Sequence, residues 1–370
     1  MILVNNPGNW NTVYAPLLHA EWHGWTPTDL VFPFFLFIVG VSIVLAFHWR
    51  LEPSGTASSS LGGQGSGKGA LVGKILRRGA LLFALGLFLS GYPFGLFGPR
   101  SFERLLETWR IPGVLQRIAV CYVLASLLFL AFRERALRWW TLGLLFGYWV
   151  LLTLVPVPGI GVPNLDSKGD HLAGWLDRVV FGNHLWISAK VYDPEGILST
   201  LPALATTLFG VFAGLVLITK LDATEKAARL FLRGFLLTIA GTIWSWFLPL
   251  NKALWTSSYA VFTAGLATSG LALCFWVCDL RGHRRLARPL VIYGVNALTV
   301  FVGSGVLAKT LIYLKVGSPE PHSLQSVLYQ TFFSSWLPPY PASFAYALAW
   351  VGGWYLVLAW MHRRGLVLKV

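Results

Sequence analysis

Apolar residues in this chain gather into long unbroken runs and do not alternate with polar ones. Runs at 30–47, 74–91, 112–132, 139–156, 198–219, 230–248, 257–278, 289–312 and 343–361 each reach about 18 residues or more, enough for a helix to cross a hydrocarbon core of roughly 30 Å. A transmembrane barrel would need period-two alternation, so strands are excluded as spanning elements. The pattern predicts an all-α, polytopic helical membrane protein with about nine full transmembrane helices. Met1–Val4, running into Asn5-Asn6-Pro7-Gly8, reads as the last turn of a further helix, a stump at the N-terminus, and no cleavable signal sequence is read there. The chain is taken as a single membrane domain over 1–370. A flexible Gly/Ser linker is expected at 54–69 and a long loop at 157–197.

The polar positions between the runs differ in charge from one side to the other. Arg50, Lys68, Lys74, Arg77 and Arg78 form one basic group, and Arg133, Arg135 and Arg138 the next. Lys220, Lys226, Arg229, Arg233, then Arg281, Arg284, Arg285, Arg288, and finally Arg363, Arg364 and Lys369 continue the series at alternate connections. By the positive-inside rule those connections are cytoplasmic, as is the C-terminus. The connections at 1–29, 92–111, 157–197, 249–256 and 313–342 are then outer, and they hold most of the acids.

Composition agrees with this topology. Of 370 residues, 55% are hydrophobic and 12% charged, with a mean hydropathy of +0.63, outside the range of ordinary soluble domains. The net charge of +14 follows the loops, so nucleic acid is not an expected partner. The three cysteines, Cys121, Cys274 and Cys278, lie inside apolar runs without metal-ligand spacing, and no metal site is expected. Gly62, Gly67 and Lys68 imitate a phosphate-binding loop, but Gly69 stands where Ser or Thr should ligate magnesium.

Chemistry concentrates in the outer segments. Residues 5–42 place His19, His23 and Asp29 in an aromatic loop with no Lys or Arg, directly ahead of an apolar run. His19 reads either as a base or nucleophile or as a histidine at headgroup level, and Asn5 as an oxyanion donor or a helix cap. Asp29 stands where N-capping alone explains an acid. Arg110, Gln116 and Arg117 line the entry of one run, and a cation inside a span needs a partner or a function. Asp193 and Glu195 in the segment YDPEG suit an amine or a helix cap, and Asn251 and Trp255 in PLNKALW suit a sugar. Asn296 interrupts another span. An amine acceptor near His19 calls for a carboxylate, so Asp193 or Glu195, with Asn251 and Trp255, is expected on the His19 cavity, with Lys252 at its rim.

The stretches VNNPG, LLHAEWHGWTPTDLVFPFFLFIVGVS, RIPGVLQRIAVCY, LVPVPG, GWLDRVV, YDPEGILST, PLNKALWTSSY and YGVNAL occur in the order seen in the heparan-α-glucosaminide N-acetyltransferase family, which this chain resembles. The resemblance implies an acetyl transfer across the membrane, from cytoplasmic acetyl-CoA as co-substrate to the amine of a glucosamine-type sugar or glycan on the outer face. It puts the catalytic histidine on His19 and an asparagine near the acetyl group on Asn5. His19 would accept the acceptor's proton or carry the acetyl group briefly. Asp29, Arg110, Gln116, Arg117, Asp193, Glu195, Asn251, Trp255 and Asn296 make up the expected binding set. Position 23 is His where the animal enzymes resemble Asn. A bacterial inner membrane and a homodimer complete the expectation, and an amino-sugar permease or an envelope polysaccharide O-acetyltransferase are the alternatives.

Overall fold

The computed structural model describes residues 1–51, 68–96, 101–317 and 319–368. A short α1 (Ile2–Asn5) precedes α2 (Val31–Leu51), α3 (Lys68–Gly91), α4 (Phe102–Thr108), α5 (Val114–Ala131) and α6 (Glu134–Thr153). Next come α7 (Leu172–Phe181), α8 (Thr200–Leu217), α9 (Ala223–Trp244) and α10 (Ser257–Phe275). The chain continues with α11 (Arg284–Val295), α12 (Ala297–Tyr313), α13 (Leu324–Tyr329) and α14 (Pro339–Arg363). Two-residue strands at Lys315–Val316 and His322–Ser323 pair antiparallel. Most of the expected linker lies outside the described residues, as do Gly62 and Gly67; Lys68 and Gly69 open α3.

Every expected apolar run falls on a helix, and the protein is an all-α polytopic membrane protein. Among the described residues six helices are long and apolar enough to cross a membrane, and the pair α11 and α12 would make a seventh. The continuous span expected at 289–312 is corrected: α11 and α12 meet at a bend of 65°. Asn296 sits at the break with φ −118° and ψ 35°, outside the helical basin. Its side chain is spent on the tail, donating to the Leu366 carbonyl (3.2 Å) and accepting from the Leu368 amide (3.2 Å). The helices that carry two further expected runs also hold charges, Lys74, Arg77 and Arg78 on α3 and Glu134, Arg135 and Arg138 on α6, which shortens their purely apolar length.

Glycine sets how closely the central helices approach. A Cβ on Gly40 of α2 would lie 1.9 Å from the Thr207 carbonyl oxygen of α8, and one on Gly210 would lie 1.9 Å from that of Phe37. These two backbones are in contact, the geometry that small residues permit between membrane helices. α9 and α10 meet in the same way at Gly241 and Gly265. Phe32, Leu36, Val44, Leu204 and Leu208 fill the core between α2 and α8. Leu232, Phe235 and Leu356 are left exposed on the perimeter, where hydrocarbon would cover them. Successive helices run up and down, so 1–30, 154–199 and 245–256 come to one end of the bundle. They interlock there: the Gly24 amide donates to the Leu250 carbonyl (2.8 Å), and Trp22 donates through Nε1 to the Leu165 carbonyl (2.7 Å).

Candidate active site

The turn before α2 is built by a capping box. The Thr26 hydroxyl accepts from the Asp29 amide, and the Asp29 carboxylate accepts from the Thr26 amide at 3.0 Å, so the local reason for an acid at this position is real. Capping uses Oδ2, which also takes the Ala20 amide (3.0 Å), and leaves Oδ1 for a second task. Oδ1 lies 2.6 Å from Nδ1 of His19. Asp29 is 1% exposed while the His19 side chain is 52% exposed, so a sealed carboxylate holds an imidazole whose far edge is open. The Asp29 carbonyl accepts from the buried Tyr259 hydroxyl at 2.6 Å, which locks the turn to α10.

Lys252 departs from its expected place at the rim. Its Nζ lies 2.9 Å from Nδ1 and 3.3 Å from Nε2 of His19, and 3.4 Å from Asp29 Oδ1. The two ring lone pairs diverge, so one nitrogen cannot lie along both. With the Nδ1 proton committed to Asp29, the Lys252 nitrogen lies against the ring, nearer Nδ1 than Nε2 and along neither in-plane lone pair. Burial lowers the pKa of the Lys252 ammonium, opposed by the charges of Asp29 and Glu195.

His23 and Asn251 are structural ties beside this cluster. His23 contacts Asp166 through Nε2 at 3.0 Å and accepts at Nδ1 from the Asn251 amide at 3.3 Å, so it joins three outer segments. Asn251 is fully buried and accepts from the Leu254 amide (2.9 Å), while its own amide donates to the Thr256 hydroxyl (3.1 Å). This turn carries Trp255 in the left-handed region at φ 51° and drives its indole into the core, 1% exposed. Trp255 meets Phe32 and Tyr259 edge-on and donates to Thr206 (3.2 Å). Neither ring face is open to a sugar, so the stacking role expected of it does not fit the geometry.

The Arg117 guanidinium lies 5.3 Å from the centre of the Trp255 ring. Arg117 is 2% exposed; one Nη donates to the Gly196 carbonyl (3.0 Å) and to the Ser199 hydroxyl, while Nε and the other Nη find no partner among the described residues. Gln116, 4% exposed and packed against Gly86 and Gly113, also leaves its amide nitrogen without one. Native interiors rarely leave such donors bare.

Asp193 and Glu195 are occupied by Arg110. The guanidinium of Arg110 grips Asp193 with two bonds, at 2.9 and 2.6 Å, and reaches Glu195 at 2.5 Å. Burial alone would disfavour that charge, but the two carboxylates more than offset it and hold the Arg110 pKa above its ordinary value. Beneath the same turn Asp177 accepts the amides of Asp193 (3.2 Å) and Ile197 (3.0 Å). A Cβ on Gly196 would fall 2.1 Å from the Asp177 carboxylate, so only glycine fits there. Burial pushes the Asp177 carboxyl up to about 6 against these bonds. His171, buried under Trp22, caps α7 through Nδ1 and is pulled down to about 4 by burial, so it stays neutral.

The structure therefore brings His19, Asp29, Lys252, Asn251, Trp255, Arg117, Asp193, Glu195 and Arg110 into one connected cluster at this end of the bundle. The profile of the family described as "Heparan-alpha-glucosaminide N-acetyltransferase, catalytic" matches residues 9–166, which include His19, Asp29, Arg110 and Arg117. The chain is 31% identical over 356 residues to the heparan-alpha-glucosaminide N-acetyltransferase of Mus musculus, covering 83% of this chain and 51% of that one. With the Homo sapiens protein of the same name it shares 32% over 356 residues, covering 83% and 50%. This chain is a relative of the heparan-alpha-glucosaminide N-acetyltransferases. It spans about half the length of those two relatives.

Among the described residues, three expected members, Asn5, Gln116 and Asn296, share no side-chain hydrogen bond or ion pair with the cluster. Asn5 is exposed at the end of α1, which packs against α14, and lies ahead of the stretch matched to the N-acetyltransferase family. Asn296 holds the C-terminal tail, as described above. Tyr259, Asp177 and Ser199 belong to the cluster without having been expected there, and Lys252, expected at the rim, touches His19 itself. The PLNKALW segment was the available signal for Lys252, but its charge argued for the rim.

Proposed function

We propose that this protein is a transmembrane acetyltransferase that moves the acetyl group of cytoplasmic acetyl-CoA to the amine of a glucosamine-type sugar on the outer face. The observation that carries this reading is the His19–Asp29 pair at the interlocked end of a membrane bundle. The Asp29 carboxylate accepts a hydrogen bond from Nδ1–H, which sets the imidazole tautomer and leaves Nε2 as the base. As the acceptor nitrogen attacks the thioester carbonyl, Nε2 takes its proton, the new carbon–nitrogen bond forms and the thiolate of CoA leaves. Asp29 stabilises the imidazolium that results. Asn5, exposed at a distance along the chain, has no part in the step as written.

The bare donors of Arg117 and Gln116 support a donor path inside the bundle, because a carbonyl or phosphoryl oxygen of acetyl-CoA would satisfy them. The names of the two relatives support an amino-sugar acceptor, and the basic connections support a cytoplasmic donor side and a cytoplasmic C-terminus. A bacterial inner membrane and a homodimer belong to the same reading, the latter checked by mass photometry of the purified protein. The function is tested by supplying purified protein in liposomes with radiolabelled acetyl-CoA and a panel of amino sugars. The expected product is an amide. Uptake of unmodified sugar would mark a permease, and an alkali-labile ester would mark an O-acetyltransferase.

A further inference from the structure

The position of Lys252 carries an inference that rests on this function. A lysine recruited only to neutralise Asp29 would set its nitrogen on the carboxylate and away from the ring. Here Nζ is closer to His19 Nδ1, at 2.9 Å, than to Asp29 Oδ1, at 3.4 Å, and it faces Nε2 at 3.3 Å. A primary amine thus stands within 3.4 Å of a carboxylate oxygen and of both nitrogens of the imidazole that serves as base. Those are the two groups an acceptor ammonium needs, one for its charge and one for its proton. We propose that the Lys252 amine occupies the place of the acceptor's amine and is itself acetylated when no acceptor is bound.

The backbone around Lys252 is held on both sides. The Leu250 carbonyl accepts the Gly24 amide at 2.8 Å, and the Asn251 side chain accepts the Leu254 amide at 2.9 Å. The amine therefore reaches the site by its side chain alone. With the side chain 23% exposed, rotation about its stem moves it into solvent and opens the place for a sugar amine. Burial lowers the pKa of the Lys252 ammonium, so the neutral amine is within easier reach than on a solvated lysine. In the modification, the Nζ lone pair attacks the acetyl carbonyl carbon and a carbon–nitrogen bond forms. The carbon–sulfur bond breaks, CoA leaves as thiolate, and the Nζ proton passes to His19 Nε2 and then to solvent or the departing sulfur. The product is an uncharged amide that no longer neutralises Asp29, and the acceptor place stays filled.

The test uses the full chain in liposomes, given acetyl-CoA without acceptor and then digested for peptide mass mapping, beside the transfer assay on amino sugars. One acetyl group is expected on Lys252. Glucosamine should suppress it, His19→Gln should abolish it, and Lys252→Arg should leave no modified peptide at this position. Lys252→Met should lower KM for the sugar, by about tenfold if the lysine fills the place in most molecules, with the KM for acetyl-CoA unchanged. Normal transfer to the sugar, with Lys252 unmodified and the sugar KM unaltered in Lys252→Met, overturns the proposal and leaves the function standing. Acetylation of Lys252 that persists in His19→Gln, spread equally over other lysines, overturns it as solution chemistry. Absence of both transfer and modification removes the function and the proposal together.

Discussion

Two buried aspartates, Asp29 and Asp193, sit at turns that open transmembrane helices, and they do opposite work. Asp193 is closed on all sides: Arg110 holds both of its oxygens, and the Trp186 and Glu195 amides add to them at 2.9 and 3.0 Å. Nothing in that arrangement is left over for a substrate. Asp29 caps its turn with one oxygen and aims the other at a histidine that is half in solvent. Full satisfaction makes a hinge-point of the backbone, whereas a carboxylate with one oxygen spare and a titratable partner at the open edge makes a reactive site. An acid beside an outer span end is therefore no guide to binding until its partners are known.

The comparison breaks most sharply at His19. Replacement by Gln is expected to cut acetyl transfer by about 10³-fold or more while thermal unfolding in detergent stays unchanged, because the ring is half exposed and contributes no packing. Transfer surviving at a tenth of the original rate would remove His19 from the chemistry.

Asp29→Asn should come next, with kcat down by about 10²–10³-fold, since the amide can still cap the turn but no longer fixes the tautomer or compensates the imidazolium. The accompanying loss of stability should be only about 1 kcal/mol. A large loss of stability with kcat preserved would make Asp29 a cap and nothing more.

Asp193→Asn is expected to show the reverse profile. It leaves the Arg110 guanidinium underpaired and should cost on the order of 3 kcal/mol in unfolding, with kcat per folded molecule changed less than about threefold. If instead KM for the sugar rises with stability intact, Asp193 belongs to the acceptor site and the contrast with Asp29 fails.

The smallest expected effect is in the pH dependence of stability. Asp177 has a folded-state pKa raised from 3.8 to about 6, so its contribution favours the fold below about pH 3.8 and is lost as the pH rises through about 6. Asp177→Asn should flatten unfolding free energy against pH in that window, by roughly 2–3 kcal/mol in total. A slope identical to that of the parent would show that Asp177 is not buried as described.

That the chain is helical and crosses a membrane is legible without coordinates, because spanning length is a one-dimensional property that hydrocarbon reads directly. Composition alone favours an ordinary interfacial histidine at position 19, and only the family motif singles it out. Partnership is where the linear reading ran out. Along the chain the segment that suits a carboxylate near His19 is YDPEG, 174 positions or more away, whereas the fold uses Asp29, ten residues away. Capping geometry looked sufficient to explain Asp29, and the sequence shows that a residue can cap but not whether it has an oxygen left over. Lys252 was set at the rim on the ground that a buried ammonium repels an amine; the fold places it against His19 because Asp29 and Glu195 offset its burial from two other segments. The same holds for Trp255, whose outer position suited a sugar until a left-handed backbone turned its ring inward. What the sequence by itself determined is the set of helices, their alternation and the loop that holds the histidine. Which charge meets which was decided only when four outer connections, separated by up to 233 residues, closed on one another, since an ion pair depends on distances that the order of residues does not carry.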